Sequence, residues 1–178
     1  ATLIATPPLL FAALGSCFSE RSGVINIGIE GMMTIGAFIG AMVGHFSGNG
    51  WIAFLCGGLA GAFFGLIHSI VCVSFNADQT IAGTAINFIG PGLAIFLCKA
   101  IFDASSDTPA LSQSAKLPKL FDGVFPAGSF LSNVLSVYSV AYVAFILAFV
   151  CWFVFYKTRF GVHLRAVGEH PEACESIG

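Results

Sequence analysis

Charged side chains are spaced so that they cut the chain into long apolar stretches. Lys, Arg, Asp and Glu are absent from residues 1–19, 31–77, 79–98 and 123–156. A helix needs about 20 mainly apolar residues to cross a bilayer. The stretch 31–77 has room for two crossings, and each of the others for about one. The pattern predicts about five membrane-spanning helices. The first covers roughly 7–18 and can begin earlier, with Pro7-Pro8 in its first turn, where a missing N–H is tolerated. The second runs over about 26–46, and Ser47-Gly48-Asn49-Gly50 after it reads as a tight turn. The third covers about 51–75, the fourth about 80–102 and the fifth about 131–156. Residues 103–130 form a polar loop interrupted by proline and glycine, and 157–178 form a polar, partly helical segment. Barrel strands would need segments of about ten residues with alternating polarity. These runs are longer and do not alternate, so the expected fold is all-α: one polytopic helical membrane domain over 1–178.

Composition agrees. Of 178 residues, 57% are hydrophobic and 9% charged, against about 25% charged in a soluble domain. That excludes a soluble globular domain and a disordered one. The net charge of −2 comes without a basic patch, so no nucleic-acid partner is expected. The first residue is Ala and no basic segment precedes the apolar run, so a signal peptide is not expected. Both ends read as cuts through a longer protein. The six cysteines form no C-x-x-C pair and no zinc spacing. They read as small apolar filler, with no disulfide and no metal.

Orientation follows from basic residues in short loops. Lys157, Arg159 and Arg165 follow the fifth predicted helix, and Arg21 lies between the first and second. Counting spans puts both groups on one side, expected to be the cytoplasm. Lys116 and Lys119, in the loop 103–130, then lie outside, with Lys99 near the outer end of the fourth helix.

Small residues recur four apart, on one helix face. They are Gly36, Gly40 and Gly44 in the second helix, and Ala53, Gly57, Gly61, Gly65 and Ser69 in the third. Such strips let lipid-embedded backbones approach closely. The strips serve packing alone, or one of them faces a partner subunit; either way the second and third helices are expected to form a close antiparallel pair.

Candidate chemistry is sparse. Gly90-Pro91-Gly92 lies near the middle of the fourth helix. Proline removes a backbone N–H and crowds the carbonyl four residues back, which belongs to Asn87. Broken helices at membrane depth line cavities or are covered by protein, and in transporters they often mark the binding site. Asn87 and Thr84, one turn apart, are therefore candidates for a solute path, and a plain structural kink with Asn87 bonded to another helix is equally open. Glu30 and Asn26 open the second helix; Glu30 is either a functional ionisable group or a carboxylate favoured by the helix dipole. Asn76-x-x-Gln79 resembles a capping box, and Asp78 is the alternative cap. His45 and His68 read as packing residues. There is no Walker A loop, no H-E-x-x-H and no G-x-S-x-G, so the chain reads as a transport subunit and not an enzyme.

Three motifs carry a family resemblance. They are Ser19-Glu20-Arg21-Ser22-Gly23-Val24-Ile25-Asn26-Ile27-Gly28 with Glu30-Gly31-Met32-Met33, the stretch from Asn76 to Asn87, and Phe160-Gly161-Val162-His163-Leu164-Arg165-Ala166-Val167-Gly168-Glu169-His170-Pro171. The chain resembles the permeases of ABC importers for nucleosides and simple sugars, within the wider ribose and branched-chain amino acid permease superfamily. The subtype resembles those served by a basic-membrane-protein-type receptor lipoprotein. The resemblance implies a type II-like importer permease of the bacterial cytoplasmic membrane, working by alternating access. It implies a second permease subunit, an ATPase with two nucleotide-binding modules that binds ATP and Mg, and a substrate-binding lipoprotein; this chain itself binds no cofactor. It also implies an ATPase-coupling role for the segment holding Gly161, Leu164, Arg165, Gly168, Glu169, Pro171 and Glu172. Gly168 is expected to supply a turn, and Pro171 to open a short helix. The alternatives are an ATP-independent secondary transporter or channel, or an ABC permease for another solute such as branched-chain amino acids.

Overall fold

A computed structural model describes residues 2–102, 107–112, 116–118 and 138–177. Most of the predicted loop 103–130 and the predicted start of the fifth span at 131–137 lie outside the described residues. Among them every regular element is helical. Four helices are long and apolar enough to cross a membrane: Ile29–Ser47, Gly50–Ser74, Gln79–Ile101 and Ser139–Lys157. The chain divides into two compact units, one of residues 25–116 and one of residues 1–24 with 117–178.

In the unit 25–116, α2 is Ile29–Ser47, α3 is Gly50–Ser69 and α4 is Gln79–Ile101. Local chemistry sets their ends. Gly48 turns left-handed at φ +63°, its N–H bonding the Gly44 carbonyl, which stops α2. Asn49 then caps α3, its side chain accepting the Trp51 N–H at 3.0 Å. The ambiguity before α4 resolves in favour of Asp78, whose Oδ1 accepts from the N–H groups of Thr80 and Ile81 at 2.8 and 2.9 Å. Gln79 instead accepts the Ile25 N–H at 2.7 Å, and Asn76 takes a positive φ of 50°.

Two boundaries differ from the expectation. Asn26 does not start α2; its Oδ1 accepts the Gly28 N–H at 3.0 Å in a local turn, and helix begins at Ile29. The α-helix of α3 ends at Ser69, where a π-helical turn Ile70–Ser74 takes over. Three of its five residues are β-branched, which crowds a regular α turn. His68 is buried just before it, with the Cys72 sulfur 3.7 Å from its ring Nε2. His45 packs edge-on against Phe46 and Phe102, at 5.4 and 5.5 Å between centroids.

α2 and α3 run antiparallel with their small residues in contact. A Cβ added at Gly36 would sit 2.9 Å from the Gly57 carbonyl oxygen, one at Gly57 would sit 3.3 Å from the Gly40 Cα, and one at Gly44 would meet Ala53 at 3.3 Å. Gly61 and Gly65 lie opposite Met32, further apart. In lipid the association of such helices comes from this close van der Waals packing. On its other side α2 meets α4 through Ile35, Phe38, Ala94 and Cys98. Outward positions such as Leu59, Phe63, Phe88 and Phe96 are large, apolar and exposed, as a lipid-facing surface requires.

The second unit holds α1 (Thr2–Arg21), α5 (Ser139–Lys157), α6 (Arg159–Glu169) and α7 (Pro171–Ile177). Helix α1 begins well before the two prolines, so Pro7-Pro8 fall in its second turn and not its first. Phe18 of α1 packs on Phe155 of α5, the rings tilted by 39° with centroids 4.4 Å apart.

Candidate functional site

Of the polar residues singled out in the fourth predicted helix, Asn87 reaches the first turn of α2. Asn87 donates from its side-chain Nδ2 to the Ile27 carbonyl at 2.9 Å and accepts the Gly31 N–H through Oδ1 at 2.8 Å. The first N–H groups of any helix have no partner within it, and Asn87 supplies one from a neighbouring helix. Its amide keeps one further N–H and one acceptor lone pair.

This strap sits in the closest helix crossing of the unit. A Cβ at Gly83 would come within 2.9 Å of the Gly28 nitrogen, one at Gly31 within 2.9 Å of the Asn87 Cα, and one at Gly90 within 2.8 Å of the Gly31 Cα. Gly90 is thus glycine because the α2 backbone passes over it. Gly92 has nothing within 4 Å of its would-be Cβ. α4 stays α-helical across Gly90-Pro91-Gly92, so the break expected there is absent. Pro91 still removes the N–H that would bond the Asn87 carbonyl.

The other candidates are spread around this junction. Glu30, in the first turn of α2, is exposed, and its carboxylate has no hydrogen bond or ion pair among the described residues. Thr84 is exposed and its hydroxyl donates back to the Thr80 carbonyl at 2.7 Å, one turn from Asn87 but not bonded to it. Asn26 holds the turn before α2 and reaches the Met32 sulfur at 3.6 Å.

A groove of about 370 Å³ opens along α2 and α4, lined by Thr34, Phe38, Ala94, Cys98, Asp107 and Thr108 among others. Sequence reasoning missed Thr34, Asp107 and Thr108. The visible signal was the small residues Ala37 and Ala41, and Ala94 and Cys98, each pair four apart on one face. Thr34 bonds the Glu30 carbonyl at 2.8 Å, which hides the hydroxyl's polarity within the helix.

In the other unit, the segment after α5 is two helices and not a loop with one. Thr158 joins them: its hydroxyl donates to the Val154 carbonyl at 2.6 Å, and its oxygen accepts the Gly161 N–H at 3.3 Å. The seven residues singled out here differ in burial. Gly161 is buried, and Leu164, Arg165 and Gly168 are half-buried at helical spacing, while Glu169, Pro171 and Glu172 are exposed. Gly161 lies against the main chain of Val154 and Phe155, its would-be Cβ 2.6 Å from the Phe155 Cα. Gly168 is inside α6 and supplies no turn. It lies on the end of α1, where a Cβ would come 3.0 Å from the Arg21 carbonyl carbon and 3.1 Å from the Gly23 nitrogen. Gly23 answers with φ +85°, a region in which only glycine is unstrained. Pro171 opens α7.

Among the described residues no three His, Cys, Asp or Glu side chains gather as a metal site. Comparison with known proteins places these features in context. The whole chain, residues 1–178, matches the family model described as branched-chain amino acid transport system / permease component. It is 42% identical over 186 residues to the guanosine ABC transporter permease protein NupQ of Bacillus subtilis (strain 168), covering 100% of this chain and 57% of that protein. It is 34% identical over 192 residues to the nucleoside ABC transporter permease protein NupC of Lactococcus lactis subsp. cremoris (strain MG1363), covering 99% and 57%. The guanosine ABC transporter permease protein NupP of B. subtilis is 26% identical over 177 residues, covering 96% and 49%. The chain therefore spans about half the length of these relatives. No solved structure matches it.

Proposed function

The chain belongs to the branched-chain amino acid transport system / permease component family, and from that premise we propose that it forms part of the transmembrane permease of an ATP-driven importer for nucleosides. The observation that carries this reading is the 42% identity, over the full length of the chain, to a permease named for guanosine. A simple sugar is the second solute class implied by the sequence motifs. ATP hydrolysis belongs, in this reading, to a separate ATPase chain with two nucleotide-binding modules, and solute delivery to a receptor lipoprotein outside the cytoplasmic membrane. Similarity to both NupQ and NupP, two guanosine permease proteins of one organism, supports a pair of unlike permease chains.

Solute passes along the α2–α4 groove. A cavity of about 370 Å³ falls within the ordinary size of small-molecule sites. Its few polar groups in an apolar wall suit an uncharged, hydrogen-bonding solute. The loop 103–130 lies outside and 157–178 in the cytoplasm, supported by Lys157 and Arg159 at the end of α5. There the exposed face of α6 and α7, with Glu169, Pro171 and Glu172, docks on the ATPase. The buried face, with Gly161 and Gly168, passes the movement to α5 and α1.

The experiment is uptake of radiolabelled guanosine by cells lacking their own nucleoside importers and expressing the full-length permease with its operon neighbours. Uptake that depends on ATP, and that excess nucleoside but not glucose suppresses, is expected. Suppression by glucose alone would transfer the assignment to sugars. Uptake without the ATPase chain would replace it with secondary transport. For docking, Glu172→Arg should reduce ATPase co-purification; full association and full uptake would refute that surface.

A further inference from the structure

A second cavity, of about 190 Å³, opens within the unit formed by α1, α5 and α6, and two of its walls are arginines, Arg21 and Arg165. We propose that it holds the phosphate headgroup of an anionic phospholipid. Neither guanidinium has a carboxylate partner among the described residues. Glu20, next to Arg21, instead accepts the Ser16 hydroxyl at 3.0 Å. Arg165 is already aimed: its Nε donates to the Gly161 carbonyl at 3.3 Å, and its guanidinium carbon lies 5.4 Å from the centre of the Tyr156 ring. Stacking on an aromatic face orients an arginine while leaving its terminal N–H groups for a phosphate.

The remaining walls name the rest of the ligand. Leu14, Cys17, Ala148 and Phe155 are apolar and suit an acyl chain. Trp152 and Tyr156, which pack at 6.4 Å, are the side chains that settle at the membrane–water boundary. The depth is right as well. α5 is apolar until it ends on Lys157, and Arg159 follows, so the mouth of the cavity lies at headgroup level. Basic pockets between membrane helices bind anionic headgroups for this reason. Arg165 is half-buried with its guanidinium turned to Tyr156 of α5, while Glu169, one turn on, and Glu172 are exposed. The contact with α5 assigns Arg165 to the lipid and leaves the exposed carboxylates to the ATPase surface.

A soluble phosphate ester offers the same charge, and the test separates the two. The full-length permease complex is purified in neutral detergent, and native mass spectrometry follows retention of phosphatidylglycerol or of phosphatidylcholine with identical chains. Preferential retention of phosphatidylglycerol is expected. Arg21→Gln and Arg165→Gln should each weaken it about 5-fold, the factor for roughly one basic residue at a charged membrane surface. The double variant should retain both lipids alike, and Arg165→Lys should lose less than Arg165→Gln. Unchanged phosphatidylcholine retention reports an intact protein; if Arg165→Gln does not fold, Arg21→Gln and Arg165→Lys decide. Equal retention of the two lipids by the unaltered protein would overturn the proposal. So would a double variant that keeps the preference, or displacement of phosphatidylglycerol by millimolar inorganic phosphate.

Discussion

The Oδ1 of Asn87 accepts the Gly31 N–H at 2.8 Å, so a side chain from one membrane helix completes the hydrogen bonding of another helix's first turn. Replacing Asn87 with Leu leaves the Gly31 N–H and the Ile27 carbonyl without that partner. The bond to Gly31 is part-buried and that to Ile27 exposed, so the loss is about 1 kcal/mol for the first and less for the second. Asn87→Leu should lower the thermal midpoint of the purified protein, followed with a thiol dye that reports exposure of the buried cysteines Cys72, Cys98 and Cys151 above the constant signal of exposed Cys17. About 2–4 °C per kcal/mol is expected for a chain of this size. An unchanged midpoint with lost uptake would instead make Asn87 a solute contact.

The two glycines that flank Pro91 should behave oppositely. Gly90→Ala drives a methyl into the backbone of Gly31, an overpacking of about 1–3 kcal/mol or more. Gly92→Ala meets nothing within 4 Å and should be neutral, or stabilising by up to about 1 kcal/mol through helix propensity. The same melting measurement compares them, and equal effects would contradict the crossing described for α2 and α4.

Asp78→Ala removes the side chain that caps α4 through the N–H groups of Thr80 and Ile81. A loss of about 1 kcal/mol is expected, and Asp78→Ser or Asp78→Asn should recover most of it. Hydrogen exchange of the Thr80 and Ile81 amides is the direct readout: it should quicken in the alanine variant and slow again in the serine one.

Gly168→Ala should separate α6 from the end of α1, because a methyl there meets the main chain of Arg21. Solute-stimulated ATP hydrolysis in the assembled importer should fall several-fold, while Gly58→Ala, whose added methyl meets nothing within 4 Å, should leave it unchanged. Normal stimulation in both variants would separate this seat from coupling.

The elements whose causes are local were legible in the chain. The apolar stretches predict the helices, Gly48 and Asn49 mark the turn, and Pro171 opens α7. What escaped depends on a neighbour. Proline and glycine in the middle of α4 read as a break because sequence alone does not reveal that Gly31 lies over Gly90. Asn87 carries the same amide whether it meets solute or backbone. Arg165 and Glu169 are four residues apart and share one side of a short helix, and only the contact with Tyr156 tells that Arg165 is the one covered. Thr34 left no trace, because its hydroxyl is spent inside α2.

Where Gly36, Gly40 and Gly44 meet Ala53 and Gly57, the seam between α2 and α3 is built from main chain and methyl groups. Closing that stretch freezes no side-chain torsion, since glycine and alanine have none to lose. The association is therefore nearly free of the entropic opposition that leucine-filled interfaces meet. A backbone seam also has no alternative rotamers into which it can relax. Where α2 next yields is the side on which it meets α4 through larger side chains, Ile35 and Phe38.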